Sequence, residues 1–250
     1  MRVEIKTVTP KFALSLLDKN TSNRKVNNNQ LDMLVRTMQS GNWRLTHQGV
    51  AIYEDGTLAD GQHRLKAVIK SGVSCKMPVF YGVSKDAQSV MAIDCGKQRS
   101  VVDGMNISGS TMTASAITLA KGLYFGYEFG MKKLNHQEIS DLCEKYKEQI
   151  LTAKSILSTN KSGVSIAPVK VAILNAITDG ADKELASEFY KTLISGEYTK
   201  EIMINAVKLR NKLLSNNYNG GHERQVAYRM TYNTIMSTQG GKNVKRIISN

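Results

Sequence analysis

The spacing of apolar and polar positions predicts a mixed α/β first part and an all-helical second part. Residues 2–8 alternate, with Val3, Ile5 and Thr7 on one face, which predicts a half-buried strand. The other elements of the first part follow from helical repeats and from turn signals between short apolar runs. They are a helix over residues 27–41, a hairpin with strands at 49–53 and 58–59, a helix over 62–71, a strand over 77–83, and a helix over 85–93 capped by Ser84.

From about residue 110 onward the apolar pattern is helical throughout. Residues 135–138 have the layout of a capping box, which predicts the start of a helix that ends near residue 146. Further helices are predicted over residues 164–177, 182–194, 199–214 and 223–236, with glycine-containing breaks between them. The predicted fold class is α+β, with a mixed α/β domain over residues 1–106 followed by an all-α domain over residues 107–250.

Composition and charge narrow the classes of function. No stretch approaches the roughly 18 apolar residues of a membrane span, and the start of the chain lacks an apolar signal core, so no membrane partner is expected. The three cysteines include no C-x-x-C pair, which argues against a disulfide framework and favours a reducing cytoplasm. With 34 Lys and Arg against 21 Asp and Glu, the net charge of +13 favours a polyanionic partner such as DNA.

The most informative chemistry lies where the predicted hairpin passes into a helix. Asp60, Gly61, Gln62, His63 and Arg64 follow one another there. The backbone N–H groups of a helix's first turn attract anions, glycine permits close approach, and the Gln62 and His63 side chains and the Arg64 fork add donors suited to phosphate oxygens. Asp60 is a candidate Mg²⁺ ligand or catalytic base.

Each of these residues also has a plain structural interpretation. Asp60 could cap the helix, Gly61 could form the turn, His63 could be partly exposed, and Arg64 could be a surface charge. Taken singly, each residue favours that interpretation; the consecutive run favours a phosphate site.

A second candidate segment contains Asp94, Lys97 and Arg99 around Gly96. In an extended loop, Lys97 and Arg99 are spaced to face a shared anion, and Asp94 is a weaker candidate for a second Mg²⁺ ligand. The alternative is a solvated loop in which Asp94 pairs with one of the two cations.

Two aromatic features have alternative interpretations. Trp43, after a Gly-Asn turn, is better explained as a core anchor than as a platform for stacking a base. Arg224, Tyr228 and Tyr232 share one helix face by their spacing of four, which suits either packing or a single-strand nucleic-acid surface. Packing is the favoured interpretation.

The run Asp60-Gly61-Gln62-His63-Arg64-Leu65 resembles the signature of the ParB/sulfiredoxin superfamily, in the variant common in phage-encoded ParB-like proteins. Residues 23–24, the Gly-Asn-Trp at 41–43 and the strand at 50–53 resemble the family's opening segment. Residues 93–99 resemble the later segment whose Gln-Arg contacts the nucleotide in ParB. The strong match covers roughly residues 20–106.

This resemblance implies a compact α/β fold that binds a nucleoside di- or triphosphate at the strand-to-helix junction of residues 60–64, called the elbow below. Gly61, Gln62, His63 and Arg64 would cradle the phosphates, Arg99 would reach them from the second segment, and Asp60 would lie at the reactive end. The elbow lacks the Glu-Arg-Arg run of ParB, which leaves the choice between CTP and ATP open. It also lacks the sulfiredoxin cysteine, so repair of oxidised cysteine is not expected.

The leading hypothesis is a ParB-like protein that binds and hydrolyses a nucleoside triphosphate with Mg²⁺ and associates with DNA. Arg64 would stabilise charge on the phosphate, and Asp60 or His63 would orient the attacking water. Three alternatives remain: a Mg²⁺-dependent nuclease, a non-enzymatic binder of DNA or of a host protein, and a small-molecule kinase. The helical part suits a DNA reader, a homodimer interface or a host-targeting surface, and the expected location is the cytoplasm, that of the host if the protein is phage-encoded.

Overall fold

The computed structural model describes residues 1–19, 26–86, 113–127 and 133–248. Within these residues the chain is mixed α+β, with four strands and ten α-helices. Backbone contacts divide it into two units, which are not continuous in sequence: Met1–Ser100 with Lys132–Gln137, and Val101–Met131 with Glu138–Asn250. The domain boundary predicted near residue 107 and most of the helix predicted over 85–93 lie outside the described residues.

In its described residues, the first unit has a four-stranded sheet and three complete helices. The elements in chain order are β1 (Arg2–Val8), α1 (Pro10–Leu17), α2 (Asn28–Gln39), β2 (Val50–Tyr53), β3 (Leu58–Asp60), α3 (Gln62–Ser71) and β4 (Cys75–Val83). The strand order is β1-β4-β2-β3; β1 is antiparallel to β4, β2 is parallel to β4, and β3 is antiparallel to β2. The strands, the hairpin and helices α2 and α3 agree with the sequence predictions.

Local signals explain where these helices begin and end. The side chains of Thr9 and Asn27 accept hydrogen bonds from the first turns of α1 and α2, and Pro10 occupies the first position of α1, where its missing N–H costs nothing. Gly72 ends α3 with a φ of 72°. Helix α3 packs against both α1 and α2, and the core contains Leu65, Met77 and other fully buried side chains.

The orientation of β1 is opposite to the one expected from its alternation. Val3 and Ile5 are 56% and 58% exposed, so the apolar face of this strand points away from the core. The register pairs Glu4 with Val79 and Lys6 with Met77, which puts the charged residues on the helix-covered face at its outer edge. The half-buried strand exists as predicted, and its apolar face is the exposed one.

The second unit is helical in the residues that the structure describes. Its elements are α4 (Ala114–Phe125), α5 (His136–Lys145, of which Glu138 onward belongs to this unit), α6 (Lys147–Ile156), α7 (Ala167–Thr178), α8 (Lys183–Ser195), a short 3-10 helix (Glu201–Met203), α9 (Ile204–Leu214) and α10 (Gly221–Gln239). The core is built around α7, which is buried on most sides and packs against α10. Helix α1 was not predicted, and α4 and α6 were covered only by the general prediction of helix after about residue 110. No helix in the described residues is both long and apolar enough to cross a membrane.

Candidate functional site

A tight hairpin delivers the chain to the predicted site. Asp55 accepts hydrogen bonds from the backbone N–H and the hydroxyl of Thr57, at 2.9 and 2.6 Å, and pairs with Lys85. The hydrogen bond from Lys85, followed by those from Thr57, holds the pKa of the Asp55 carboxyl well below its usual range. Strand β3 leaves this turn antiparallel to β2 and ends at Asp60.

Gly61 joins β3 to α3 in a conformation that other residues rarely adopt. Its φ is 104° and its ψ is 8°. A Cβ atom there would lie 3.0 Å from Cγ2 of Val50 and 3.2 Å from the carbonyl oxygen of Gly49. Packing of the elbow against β2 therefore requires glycine, whether or not a phosphate approaches this backbone.

Arg64 is partly buried, and its hydrogen bonds connect α3 to the loop before β2. Its Nη1 donates to the carbonyl oxygen of Gly49 at 2.9 Å and lies 3.4 Å from Oδ2 of Asp60, and its Nη2 donates to Oε1 of Gln48 at 3.2 Å. Its side chain is 20% exposed. These contacts leave part of the guanidinium fork for a ligand, so Arg64 is a structural link that also faces the cleft.

His63 links α3 to the start of α2. Its Nε2 accepts a hydrogen bond of 2.9 Å from the backbone N–H of Asn27, the residue that caps α2. Nε2 is the acceptor in this contact, so the ring helps to fix the first turn of α2. The contact gives His63 a positioning role.

Gln62 does not reach the cleft. It is only 5% exposed, at the first position of α3, and it is not among the residues that line the opening. The structure thus brings Asp60, Gly61, His63 and Arg64 together at one surface and leaves Gln62 inside.

A polar cleft of about 640 Å³ opens beside this elbow. Its volume lies within the range of small-molecule binding sites. Arg44, Arg64 and Lys133 contribute positive charge, and Asp60 is the one carboxylate among the described residues that line the cleft. The remaining lining residues are mostly neutral and polar: Asn27, Gln30, Leu34, Thr37, Trp43, Thr46, Gln48, Gly61 and His63.

Sequence reasoning missed the part of the wall that comes from Lys133, in a segment that is held against α2. Nζ of Lys133 donates to Oε1 of Gln30 on α2, and the carbonyl oxygen of Lys133 accepts from Arg36 at 2.6 Å. Asn135 donates to the Thr37 hydroxyl at 3.0 Å. About 100 residues separate these partners, and no local pattern near Lys133 announces the contact.

Trp43 packs on the core of the first unit and also lines the cleft. Its Nε1 donates to the carbonyl oxygen of Lys76 at 2.9 Å, which fixes the indole ring. This agrees with the predicted anchor role. Tyr228 and Tyr232 also have internal partners, because their hydroxyls bond to Asn175 at 2.8 Å and Asp179 at 2.7 Å.

The remaining predicted site residues cannot be placed in the same way. Asp94, Lys97 and Arg99 lie outside the described residues. Within the described part of the chain, no group of three or more His, Cys, Asp or Glu side chains is arranged to hold a metal ion. In comparisons with known proteins, no protein-family model, no curated protein and no solved structure matched this chain.

Proposed function

We propose that the first unit binds a nucleoside triphosphate, ATP or CTP, in the cleft beside Asp60 and Arg64 and hydrolyses it with Mg²⁺. The observation that carries the proposal is the excess of positive charge in the cleft. Arg44 and Lys133 form no salt bridge with a described residue; they bond to the neutral oxygens of Gly41, Trp43 and Gln30. Cations without a carboxylate partner in a polar cleft favour an anionic ligand.

The cleft offers a phosphate one donor that is fixed in place and two long side chains that can change conformation. The guanidinium of Arg64 is held in place by Gly49 and Gln48, so it offers a preorganised positive charge beside the first turn of α3. Arg44 is an exposed residue, and its long side chain, like that of Lys133, can turn toward phosphate oxygens. Trp43 and Leu34 supply the apolar surface that suits the ribose and base of a nucleotide.

The donor set of the cleft fits Mg²⁺ that is held chiefly by the nucleotide. Mg²⁺ commonly takes one or two carboxylates and completes its shell with phosphate oxygens and water. Asp60, 38% exposed and on the cleft wall, would supply the carboxylate. When bound, the ion would neutralise charge on the phosphates, and Asp60 would also lie close enough to orient a water molecule.

Thermal shift and calorimetry with the common nucleoside triphosphates, with and without Mg²⁺, test binding. Lys133→Ala and Arg44→Ala should each weaken nucleotide binding by about tenfold, because each removes one charged donor. Lys11→Ala removes an exposed cation on α1 outside the cleft and is the matched control. Equal affinity in all three variants and the unaltered protein would contradict the assignment.

Hydrolysis is tested separately by phosphate release. Asp60→Asn should abolish release while keeping most of the nucleotide affinity, because it removes the carboxylate and preserves the shape of the side chain. Release that is unaffected by Asp60→Asn would place the chemistry elsewhere. Binding without any release would reduce the proposal to a nucleotide-binding module.

The net charge of +13 supports DNA as a macromolecular partner. Fluorescence anisotropy with labelled duplex DNA should show affinity that falls steeply as salt rises. A plasmid-nicking assay with Mg²⁺ separates nucleotide hydrolysis from nuclease activity, since only a nuclease converts the supercoiled form. Absence of salt-dependent binding would remove the DNA partner from the proposal.

A further inference from the structure

Strand β1 forms one edge of the sheet and carries an exposed apolar face. It pairs with β4 on one side, and no other described strand pairs with it. Val3 and Ile5 are more than half exposed on the face that points away from the helices. An edge of this kind presents unpaired backbone N–H and C=O groups to any strand that can match it.

The opposite face of β1 carries charges of alternating sign. Arg2, Glu4 and Lys6 follow one another there, with Glu4 3.2 Å from Arg2 and 3.0 Å from Lys6. The two cations are also held over aromatic rings: Arg2 lies 5.1 Å from the centre of Tyr81, and Lys6 lies 5.1 Å from the same ring. The row is therefore ordered before any partner arrives.

Symmetry restricts how this strand can pair with a second copy of itself. In an antiparallel pair, residues that lie directly opposite each other point to the same face of the sheet. A two-fold axis normal to the sheet must therefore set one residue opposite the same residue of the partner, and the register is named by that residue. An axis at Glu4 opposes Arg2 to the partner's Lys6 and Glu4 to the partner's Glu4, which is repulsive. An axis at Val3 is charge-compatible but leaves half of the strand unpaired.

An axis at Ile5 gives attractive charge pairs and also pairs the whole strand. It sets Glu4 opposite the partner's Lys6 twice, Ile5 opposite the partner's Ile5, and Val3 opposite the partner's Thr7, and it uses the full length Arg2–Val8. We propose that β1 pairs antiparallel with β1 of a second copy in this register, joining two sheets into one of eight strands in a homodimer. Charged edge strands ordinarily discourage pairing, but here the alternation of sign makes the edge complementary to itself.

Charge reversal with complementation tests this pairing and does not depend on the nucleotide site. Glu4→Lys places lysine opposite the partner's Lys6, and Lys6→Glu places two glutamates opposite each other. Each variant alone should raise the dimer dissociation constant by about tenfold or more, because two cross-strand pairs turn from attraction to repulsion. An equimolar mixture of the two variants should restore dimers, since both pairs are then again of opposite sign.

Sedimentation velocity across about a hundredfold range of concentration gives the readout, with thermal melting to confirm that each variant is folded. The double variant Glu4→Lys/Lys6→Glu should dimerise like the unaltered protein. Ile5→Asp should weaken the dimer, and Leu151→Asp, at an equally exposed leucine of the helical unit, should not. A monomeric unaltered protein, a dimer insensitive to either reversal, or a mixture that stays monomeric would overturn the proposal.

Discussion

Replacing Gly61 by alanine perturbs the elbow in two ways that the structure separates. The residue is held at a φ of 104°, outside the region that an L-residue adopts without strain. The added methyl group would lie 3.0 Å from Cγ2 and 3.1 Å from Cα of Val50 on β2. Strand β2 is a central strand of the sheet and cannot move away without disturbing β4.

The cost of the substitution follows from adding these two effects. Left-handed backbone costs a residue with a Cβ about 1–2 kcal/mol, and overpacking at a rigid contact costs about 1–3 kcal/mol. Gly61→Ala should therefore destabilise the first unit by about 2–5 kcal/mol, which lowers the melting temperature of a unit of this size by about 8–40 °C. Gly72→Ala is the matched control, because Gly72 has a φ of 72° and nothing within 4 Å of the added Cβ. Only the conformational cost applies there.

Trp43 makes the assay specific to the first unit. It is the one tryptophan of the chain, and its indole N–H is bonded inside that unit. Tryptophan fluorescence during urea unfolding should give a lower midpoint for Gly61→Ala than for Gly72→Ala, with unchanged slopes. Equal midpoints for the two variants would refute the argument that packing against β2 demands glycine at the elbow.

Three further predictions concern individual hydrogen bonds. His63→Ala removes the acceptor at the start of α2 and should destabilise the first unit by about 1 kcal/mol in the same fluorescence assay, against no change if the contact is unimportant. Because the pKa of Asp55 is lowered in the folded protein, its charged form adds to the free energy of unfolding above the ordinary carboxyl pKa, and this stabilisation is lost as the pH falls. The melting temperatures of Asp55→Asn and of the unaltered protein should therefore converge in acid and differ near neutral pH. Tyr190→Phe loses a 2.6 Å hydrogen bond to the carbonyl oxygen of Thr159 and should destabilise the second unit by about 1 kcal/mol. Tyr127→Phe should be neutral or stabilising, because the Tyr127 hydroxyl is buried without a hydrogen-bond partner among the described residues. Equal losses of stability for the two variants in calorimetry would contradict this.

Local sequence signals were sufficient for most elements of the fold. The Asp-Gly turn at residues 55–56 and the glycine after α3 mark the hairpin and the helix that build the elbow. The orientation of β1 was not readable in this way, because alternation defines two faces without saying which one is covered. Cation–π contacts of Arg2 and Lys6 with Tyr81 hold the charged face toward the helix side, and those contacts depend on pairing with a strand more than 70 residues away.

The candidate site was predictable only where its residues are consecutive. Asp60, Gly61, His63 and Arg64 could be proposed together because the strand and helix that flank them are local. Lys133 could not, because its contact with α2 joins segments that nothing in the sequence connects. Gln62 was included in the predicted site because it belongs to the consecutive run, but its position in the first turn of α3 buries its side chain.

Gly61 and Arg64 have structural roles that need no ligand, so it is the other residues of the cleft that favour ligand binding. Gly49 shows how tightly the loop before β2 is held, because a Cβ there would lie 1.8 Å from the carbonyl oxygen of Pro78. Arg64 ties α3 to that loop, and an ordinary strand-to-helix turn requires no more than this. Such a turn does not require Arg44 and Lys133, which come from separate segments and face the same cleft without a salt bridge to any carboxylate of the described residues. Both are exposed residues that water solvates, so the turn itself needs no anion; their positive charge favours an anionic ligand in the cleft, and this is the basis of the proposed phosphate site.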